Sequence, residues 1–155
     1  MKKRRFKPFG NISALTLGGG GLGQVWGETS REEAVATVNL AIEKGITHLD
    51  VAPMYGKGEA ERVVAEVFKG KDLGDVKITT KCRLGTLPDD EVYERLISSL
   101  EKSLVNLNME RLIFFYCTHS YDRMIFSFIH SMSTERLIQL HFLVITMRLY
   151  QPLKD

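Results

Sequence analysis

The stretch Leu49-Asp50-Val51-Ala52-Pro53-Met54-Tyr55-Gly56 decides the fold of this chain when it is read together with Thr79-Thr80-Lys81-Cys82. The two segments place a carboxylate, a phenol and an amine just past the ends of predicted strands. A nearby ammonium favours the phenolate, so a tyrosine in this setting can donate a proton near neutral pH. A carboxylate beside the lysine keeps the amine charged and aimed. The three groups therefore form a chemically coherent set.

The composition indicates one ordinary globular domain. The chain has 155 residues, of which 44% are hydrophobic and 26% charged, enough to bury a core. Its net charge of +2 is too small to indicate nucleic acid or a membrane surface as a partner. The basic run at residues 2–5 predicts a solvated tail, because no sustained apolar segment follows it as in a signal peptide. We predict a cytoplasmic protein.

The cysteines and histidines give no metal signature. Cys82 and Cys117 lack Cys-x-x-Cys spacing, so reduced thiols in a reducing compartment are the expectation. Cys82 follows Lys81 and could be reactive, but we favour a structural role for it. The four histidines have no His-Glu-x-x-His or similar spacing. We predict no metal site.

Strands and helices alternate along the first 120 residues. Turn residues Gly10 and Asn11 predict an opening hairpin with arms at 6–9 and 12–17. Ser30 and Glu33 predict a capping box at the first helix, and Gly45 predicts its end. The remaining predicted elements are a strand at 46–51, a helix ending at Gly70, a strand at 76–81, a helix starting at Pro88 and a strand at 112–117.

This order predicts an α/β fold with a right-handed parallel series of strands. Two architectures are compatible with it, a doubly wound sheet and a (β/α)8 TIM-type barrel. Asp50, Lys81 and His119 each lie at or just after the C-terminal end of successive strands. Because all strand ends face one mouth in a barrel, this placement favours the barrel.

The character of the sequence changes after residue 120. Residues 121–155 contain no glycine and no strand-then-helix unit, so we divide the chain into 1–120 and an atypical tail, 121–155. The segment 134–149 predicts a terminal helix. The tail could be a capping segment or translated sequence from outside the original reading frame, and both origins stay open.

The segments 49–56 and 78–81, followed by a hydrophobic strand leading to His119 and Ser120, resemble the aldo-keto reductase family. The Asp-x-x-x-x-Tyr-Gly pattern carries most of this resemblance, and the opening hairpin and glycine cluster before Trp26 are also similar. The likeness covers about residues 9–120. It implies the N-terminal half of a barrel, shortened to about four strand-helix units of the family's eight.

The resemblance also implies roles for individual residues. Tyr55 would donate the proton to a substrate carbonyl, Lys81 would ease the loss of that proton, and Asp50 would pair with Lys81. His119 would orient the carbonyl oxygen. The reaction would be reduction of an aldehyde or ketone by hydride from a nicotinamide cofactor, typically NADPH with NADH as the alternative.

The family's first loop implies the remaining candidates. Gly21, Leu22 and Gly23, with Asp50, would contact the cofactor. Trp26, with Tyr55 and His119, would contact the substrate, although Trp26 could equally be simple packing under a loop. Phosphate sites in such barrels commonly lie after the last two strands. Most of the cofactor-binding contacts would therefore come from the C-terminal half of the family barrel, which this chain does not show.

The glycine cluster formally matches a different nucleotide motif. Gly18-x-Gly20-x-x-Gly23 has the dinucleotide fingerprint spacing, but in that motif a helix opens at the third glycine. Here residues 24–29 intervene, so a doubly wound nucleotide-binding module is the weaker alternative. A second alternative is an inactive half-barrel that self-associates or binds a partner through its open strand edges.

Overall fold

The computed structural model describes residues 1–6, 10–85, 87–110, 112, 114–119 and 124–125, and it shows an N-terminal hairpin followed by a sheet with three connecting helices. The strands are β1 Lys3–Phe6, β2 Gly10–Ser13, β3 Leu17–Gly18, β4 His48–Asp50, β5 Lys77–Gly85, β6 Phe114–His119 and β7 Met124–Ile125. The helices are α1 Arg31–Glu43, α2 Glu59–Val67 and α3 Asp89–Leu107.

The sheet is the predicted parallel series. Its order is β3-β4-β5-β6-β7, with β3 to β6 parallel. Asp50 is in register with Thr79, and Lys81 is in register with Tyr116. The described strands form an open sheet, so the closed barrel stays a prediction. Apolar side chains of the strands and helices form one buried cluster that includes Leu49, Val63, Ile78 and Leu100.

The opening hairpin is confirmed, but its predicted turn and second arm are wrong. Strands β1 and β2 pair antiparallel, and the predicted turn residues Gly10 and Asn11 lie in β2. Strand β2 ends at Ser13 instead of continuing to residue 17. The Ser13 backbone N–H donates to Thr47 Oγ1 at 2.8 Å, and the Thr47 N–H donates to Ser13 Oγ at 2.9 Å. These bonds tie the end of the hairpin to the sheet, and Leu17–Gly18 then becomes the first parallel strand beside β4.

The helix ends follow the predicted local signals. The Ser30 and Glu33 side chains form the complete capping box of α1, which satisfies two orphan N–H groups. Gly45 and Gly70, which follow α1 and α2, have φ angles of +85° and +70°. Glycine adopts this left-handed conformation without steric cost. Local sequence therefore fixes where the first two helices end.

Glu61 is a fully buried carboxylate between α2, β5 and α3. One carboxylate oxygen accepts a hydrogen bond from Thr80 Oγ1 at 2.7 Å, and the other accepts one from Asn106 Nδ2 at 2.8 Å. Buried polar groups are tolerated when they are hydrogen-bonded in this way. The Glu61 contacts join three elements of the fold, one of which carries Lys81.

The tail prediction is tested only at one short strand. Strand β7 pairs antiparallel with β6, so the predicted parallel series does not continue through residue 125. The proposed helix at 134–149 lies outside the described residues. The division of the chain at residue 120 stays a prediction.

Candidate active site

The loop after β4 positions Tyr55. Val51 and Ala52 are fully buried where the strand ends, which anchors the start of the loop in the core. The Tyr55 N–H donates to the Ala52 carbonyl at 3.0 Å, closing a turn. Gly56 follows with a φ of +62°, which lets the chain reverse toward α2. Tyr55 is thereby held close to the end of the strand that carries Asp50.

Strand β5 brings Lys81 to the same place, but the prediction that Lys81 ends its strand is wrong, because β5 continues to Gly85. Lys81 Nζ donates to Asp50 Oδ1 at 2.9 Å and to the Val51 carbonyl oxygen at 3.0 Å. The same nitrogen lies 4.9 Å from the centroid of the Tyr55 ring. The structure therefore brings together the acid, the amine and the phenol that the sequence predicted as neighbours.

The electrostatics of this group follow from its burial. The Lys81 side chain is only 9% exposed, whereas Asp50 is 29% exposed. A buried ammonium is costly unless it is paired and hydrogen-bonded, and Asp50 and the Val51 carbonyl meet that need. An ammonium over an aromatic face is also attracted to the ring, by about 0.5–2 kcal/mol. The Lys81 charge is thus held against the Tyr55 ring.

The first loop packs directly on Tyr55. A Cβ added at Gly23 would lie 2.5 Å from the Tyr55 carbonyl carbon, and one at Gly56 would lie 2.6 Å from the Gly23 oxygen. No side chain fits at either distance, so only glycine permits this contact between the two backbones. Gly23, predicted as a cofactor residue, also positions Tyr55.

Leu22 and Gly21, the other cofactor residues predicted in the first loop, differ in how their surroundings could admit a ligand. The Leu22 side chain is 5% exposed and belongs to the core, so only its backbone can face a ligand. A Cβ at Gly18 or at Gly21 would meet no atom within 4 Å. Gly18 is the register partner of Asp50, so there is open space beside Asp50.

Trp26 lies at the surface of the first loop. Its side chain is 81% exposed, and a Cβ at Gly20 would lie 2.7 Å from Trp26 Cη2. The indole therefore covers the Gly20 backbone and leaves most of its surface to solvent. Val25 and Met54, in the first loop and the Tyr55 loop, are also exposed apolar residues. Simple packing of Trp26 in the loop and a role as a substrate wall both stay predictions.

His48 is a polar neighbour that the sequence argument overlooked. Its ring nitrogens contact Thr16 Oγ1 at 2.8 Å and Thr79 Oγ1. Burial lowers the pKa of His48; Asp50 opposes this shift and Lys81 adds to it. His48 lies two residues before Asp50, and alternate strand residues share a face. That spacing is the signal by which His48 could have been found.

His119 and Cys82 have different outcomes. The backbone of His119 ends β6 in register with Gly85, which confirms its predicted place at a strand end. The side chain of His119 lies outside the described residues, so its role stays a prediction. Cys82 is a buried thiol, and burial raises its pKa. A raised pKa disfavours the reactive thiolate, which supports a structural role.

Within the described ranges, no three His, Cys, Asp or Glu side chains come together in a way that could hold a metal ion. None of the described helices is both long enough and apolar enough to cross a membrane.

The sequence profile of the Aldo/keto reductase family matches residues 14–124. The chain belongs to the aldo/keto reductase family. It is 30% identical over 123 residues to L-galactose dehydrogenase of Arabidopsis thaliana. The aligned segment covers 76% of this chain and 39% of that protein.

Solved structures give the same result. A thermostable aldo-keto reductase, Tm1743, in complex with the inhibitor epalrestat superposes with a TM-score of 0.61 at 29% identity, over 74% of this chain and 42% of that one. An aldo-keto reductase from Klebsiella pneumoniae in complex with NADPH superposes with a TM-score of 0.56 at 27% identity. The match covers 74% of this chain and 39% of that one. The chain thus spans about two fifths of the length of these relatives. Their (β/α)8 fold favours a partial barrel over the doubly wound sheet.

Proposed function

We propose that this chain carries the proton-donating part of a reductase site that converts an aldehyde or ketone to an alcohol with NAD(P)H. The observation that supports this most directly is Lys81, which contacts Asp50 at 2.9 Å and lies 4.9 Å from the Tyr55 ring centroid. Family membership supports the reaction class.

Each residue of the group has a distinct task in the proposed reaction. Tyr55 holds a proton at Oη and gives it to the carbonyl oxygen as negative charge develops there. The Lys81 ammonium favours the phenolate that remains. Asp50 keeps that ammonium charged and oriented. His119 at the end of β6 orients the carbonyl oxygen.

The space beside Asp50 is the proposed place for the reduced nicotinamide, which supplies hydride to the carbonyl carbon when bound. Gly21 and the backbone of Leu22 and Gly23 would hold it from the first loop, and Asp50 would border it. The exposed indole of Trp26 would form an apolar wall for the substrate.

Steady-state oxidation of NADPH with a panel of aldehydes and ketones tests the proposal. We expect turnover by the chain, and a loss of at least about 100-fold in kcat for Tyr55→Phe, because general acid catalysis contributes about 10² to 10⁴ in rate. The matched control is Tyr93→Phe, which removes the same hydroxyl from helix α3 and should retain activity.

Two results would contradict the proposal. Equal activity of Tyr55→Phe and Tyr93→Phe would remove Tyr55 as the proton donor. Absence of turnover by the chain with every substrate, with no quenching of Trp26 fluorescence by NADPH, would show that this chain does not carry the reaction. In that case an inactive half-barrel would be favoured, and a sizing column would test the predicted self-association.

The cytoplasmic location stays a prediction.

A further inference from the structure

A cavity of about 580 Å³ lies between the C-terminal end of β5 and the outer helix α3. We call it the β5–α3 cleft; its charged and hydroxyl lining residues are Lys81, Arg83, Arg95, Ser98, Ser99 and Lys102. Pro53 and Met54 border it on the side of the Tyr55 loop. Its size is within the range of small-molecule sites.

The cleft adjoins the candidate active site, because Lys81 is among its lining residues. Lys81 Nζ donates to Asp50 Oδ1 and to the Val51 carbonyl oxygen, so its charge is already paired with a carboxylate. The cations that we consider for a ligand of the cleft are therefore the other three.

The charge of the cleft has one sign. Arg83, Arg95 and Lys102 bring three cations to it besides Lys81, and no Asp or Glu is among its described lining residues. The exposed acids on α3 (Glu91, Glu94 and Glu101) do not line the cleft. Walls of a single charge sign in a concave site concentrate ions of the opposite sign.

The helix presents its donors as one face. Arg95, Ser98, Ser99 and Lys102 are spaced at i, i+3, i+4 and i+7, so they lie along one side of α3. Arg83 approaches from the strand on the other side. Guanidinium groups match phosphate oxygens in pairs, and serine hydroxyls supply further donors. This set of donors suits a tetrahedral oxyanion.

We propose that the β5–α3 cleft binds a small phosphorylated anion through Arg83, Arg95 and Lys102, with Ser98 and Ser99 as hydroxyl donors. The cleft does not depend on the proposed reductase chemistry. A bound anion would contact both β5 and α3 and so hold the end of the strand that carries Lys81 against the helix.

Titration of the 155-residue chain with inorganic phosphate, followed by amide NMR at constant ionic strength, tests this site. We expect saturable shifts at residues 82–85 and 95–102, with a Kd of about 1 mM or tighter. Arg95→Gln should weaken binding by about tenfold or more, because a charge-assisted bond is lost. Lys69→Gln, an exposed lysine outside the cleft, is the matched control and should bind like the parent chain.

The outcomes are decisive in both directions. Equal affinity of Arg95→Gln and Lys69→Gln, or the same shifts with chloride alone, would overturn the proposal. Linear shifts without saturation would also overturn it. Tyr55→Phe should bind phosphate normally, so a failure of the reductase proposal would leave this result unchanged.

Discussion

Replacing Glu61 by alanine should destabilise the fold strongly, because Glu61 is fully buried and accepts bonds from two side chains. Removing the carboxylate leaves the donors of Thr80 and Asn106, now bonded at 2.7 and 2.8 Å, without an acceptor. An unsatisfied buried donor costs about 1–3 kcal/mol, which applies to the fully buried Thr80, whereas the partly buried Asn106 adds less. The cavity left by the side chain also lowers the free energy of unfolding, by a further amount of about 2 kcal/mol or more.

Two control variants separate the carboxylate contacts from general effects. Glu61→Gln keeps the shape of the side chain; its amide oxygen can accept from Asn106, and its N–H can donate to the rotated Thr80 hydroxyl. We expect a loss of about 1 kcal/mol for this variant. Glu66→Ala removes a glutamate from the same helix whose side chain is 49% exposed. We expect a change within about 1 kcal/mol there, as for other surface ion pairs.

Urea denaturation followed by far-UV circular dichroism measures these differences. With a denaturant slope of about 1–3 kcal/mol/M, the expected loss for Glu61→Ala lowers the midpoint by about 1 M or more. An unfolded Glu61→Ala chain beside a folded Glu66→Ala chain would agree with the argument. A midpoint for Glu61→Ala equal to that of Glu61→Gln would refute it, since the two bonds would then contribute nothing that an amide cannot replace.

Three further predictions concern the neighbouring elements. Gly23→Ala should cost more than about 2 kcal/mol in urea unfolding, because its Cβ would lie 2.5 Å from the Tyr55 carbonyl carbon. Gly21→Ala has open space and should change stability by less than about 0.5 kcal/mol; equal costs would contradict the close contact. Ser30→Ala should lose about 1 kcal/mol with the N-cap bond, and an unchanged midpoint would argue against the capping box. The pKa of His48 is lowered from 6.5 in the fold, so its stability contribution is complete above that pH and is lost as pH falls below it. His48→Gln should flatten this part of the stability–pH curve, and an unaltered slope would rule out His48 as its source.

Much of the fold could be predicted because the signals were local. The capping pair at Ser30 and Glu33 fixed the start of α1, and Gly45 and Gly70 marked the ends of two helices. Leu17–Gly18 could not be assigned correctly, because the residues are equally compatible with a hairpin arm and a parallel strand. The bonds between Ser13 and Thr47, which are 34 positions apart, decide between these alternatives.

The candidate active site was predictable for a similar reason. Asp50 ends β4, and Lys81 lies within the neighbouring strand β5, which continues to Gly85. Parallel pairing of these strands brings the two side chains together, although Lys81 was predicted at the end of its strand. The glycine cluster was ambiguous, since backbone freedom alone does not tell a ligand site from a packing site. The structure shows both: Gly23 lies against Tyr55, whereas Gly21 borders open space.

The sequence by itself determined the order of strands and helices, and it placed an acid and a phenol at or after the end of one strand and an amine on the next. These follow from local periodicity, turn residues and chain direction. Only the tertiary structure decided that Glu61 is buried, that the Leu22 side chain belongs to the core, and that Lys81 lies over the ring of Tyr55. Such facts depend on which residues distant in the chain meet in space, and no local pattern encodes that.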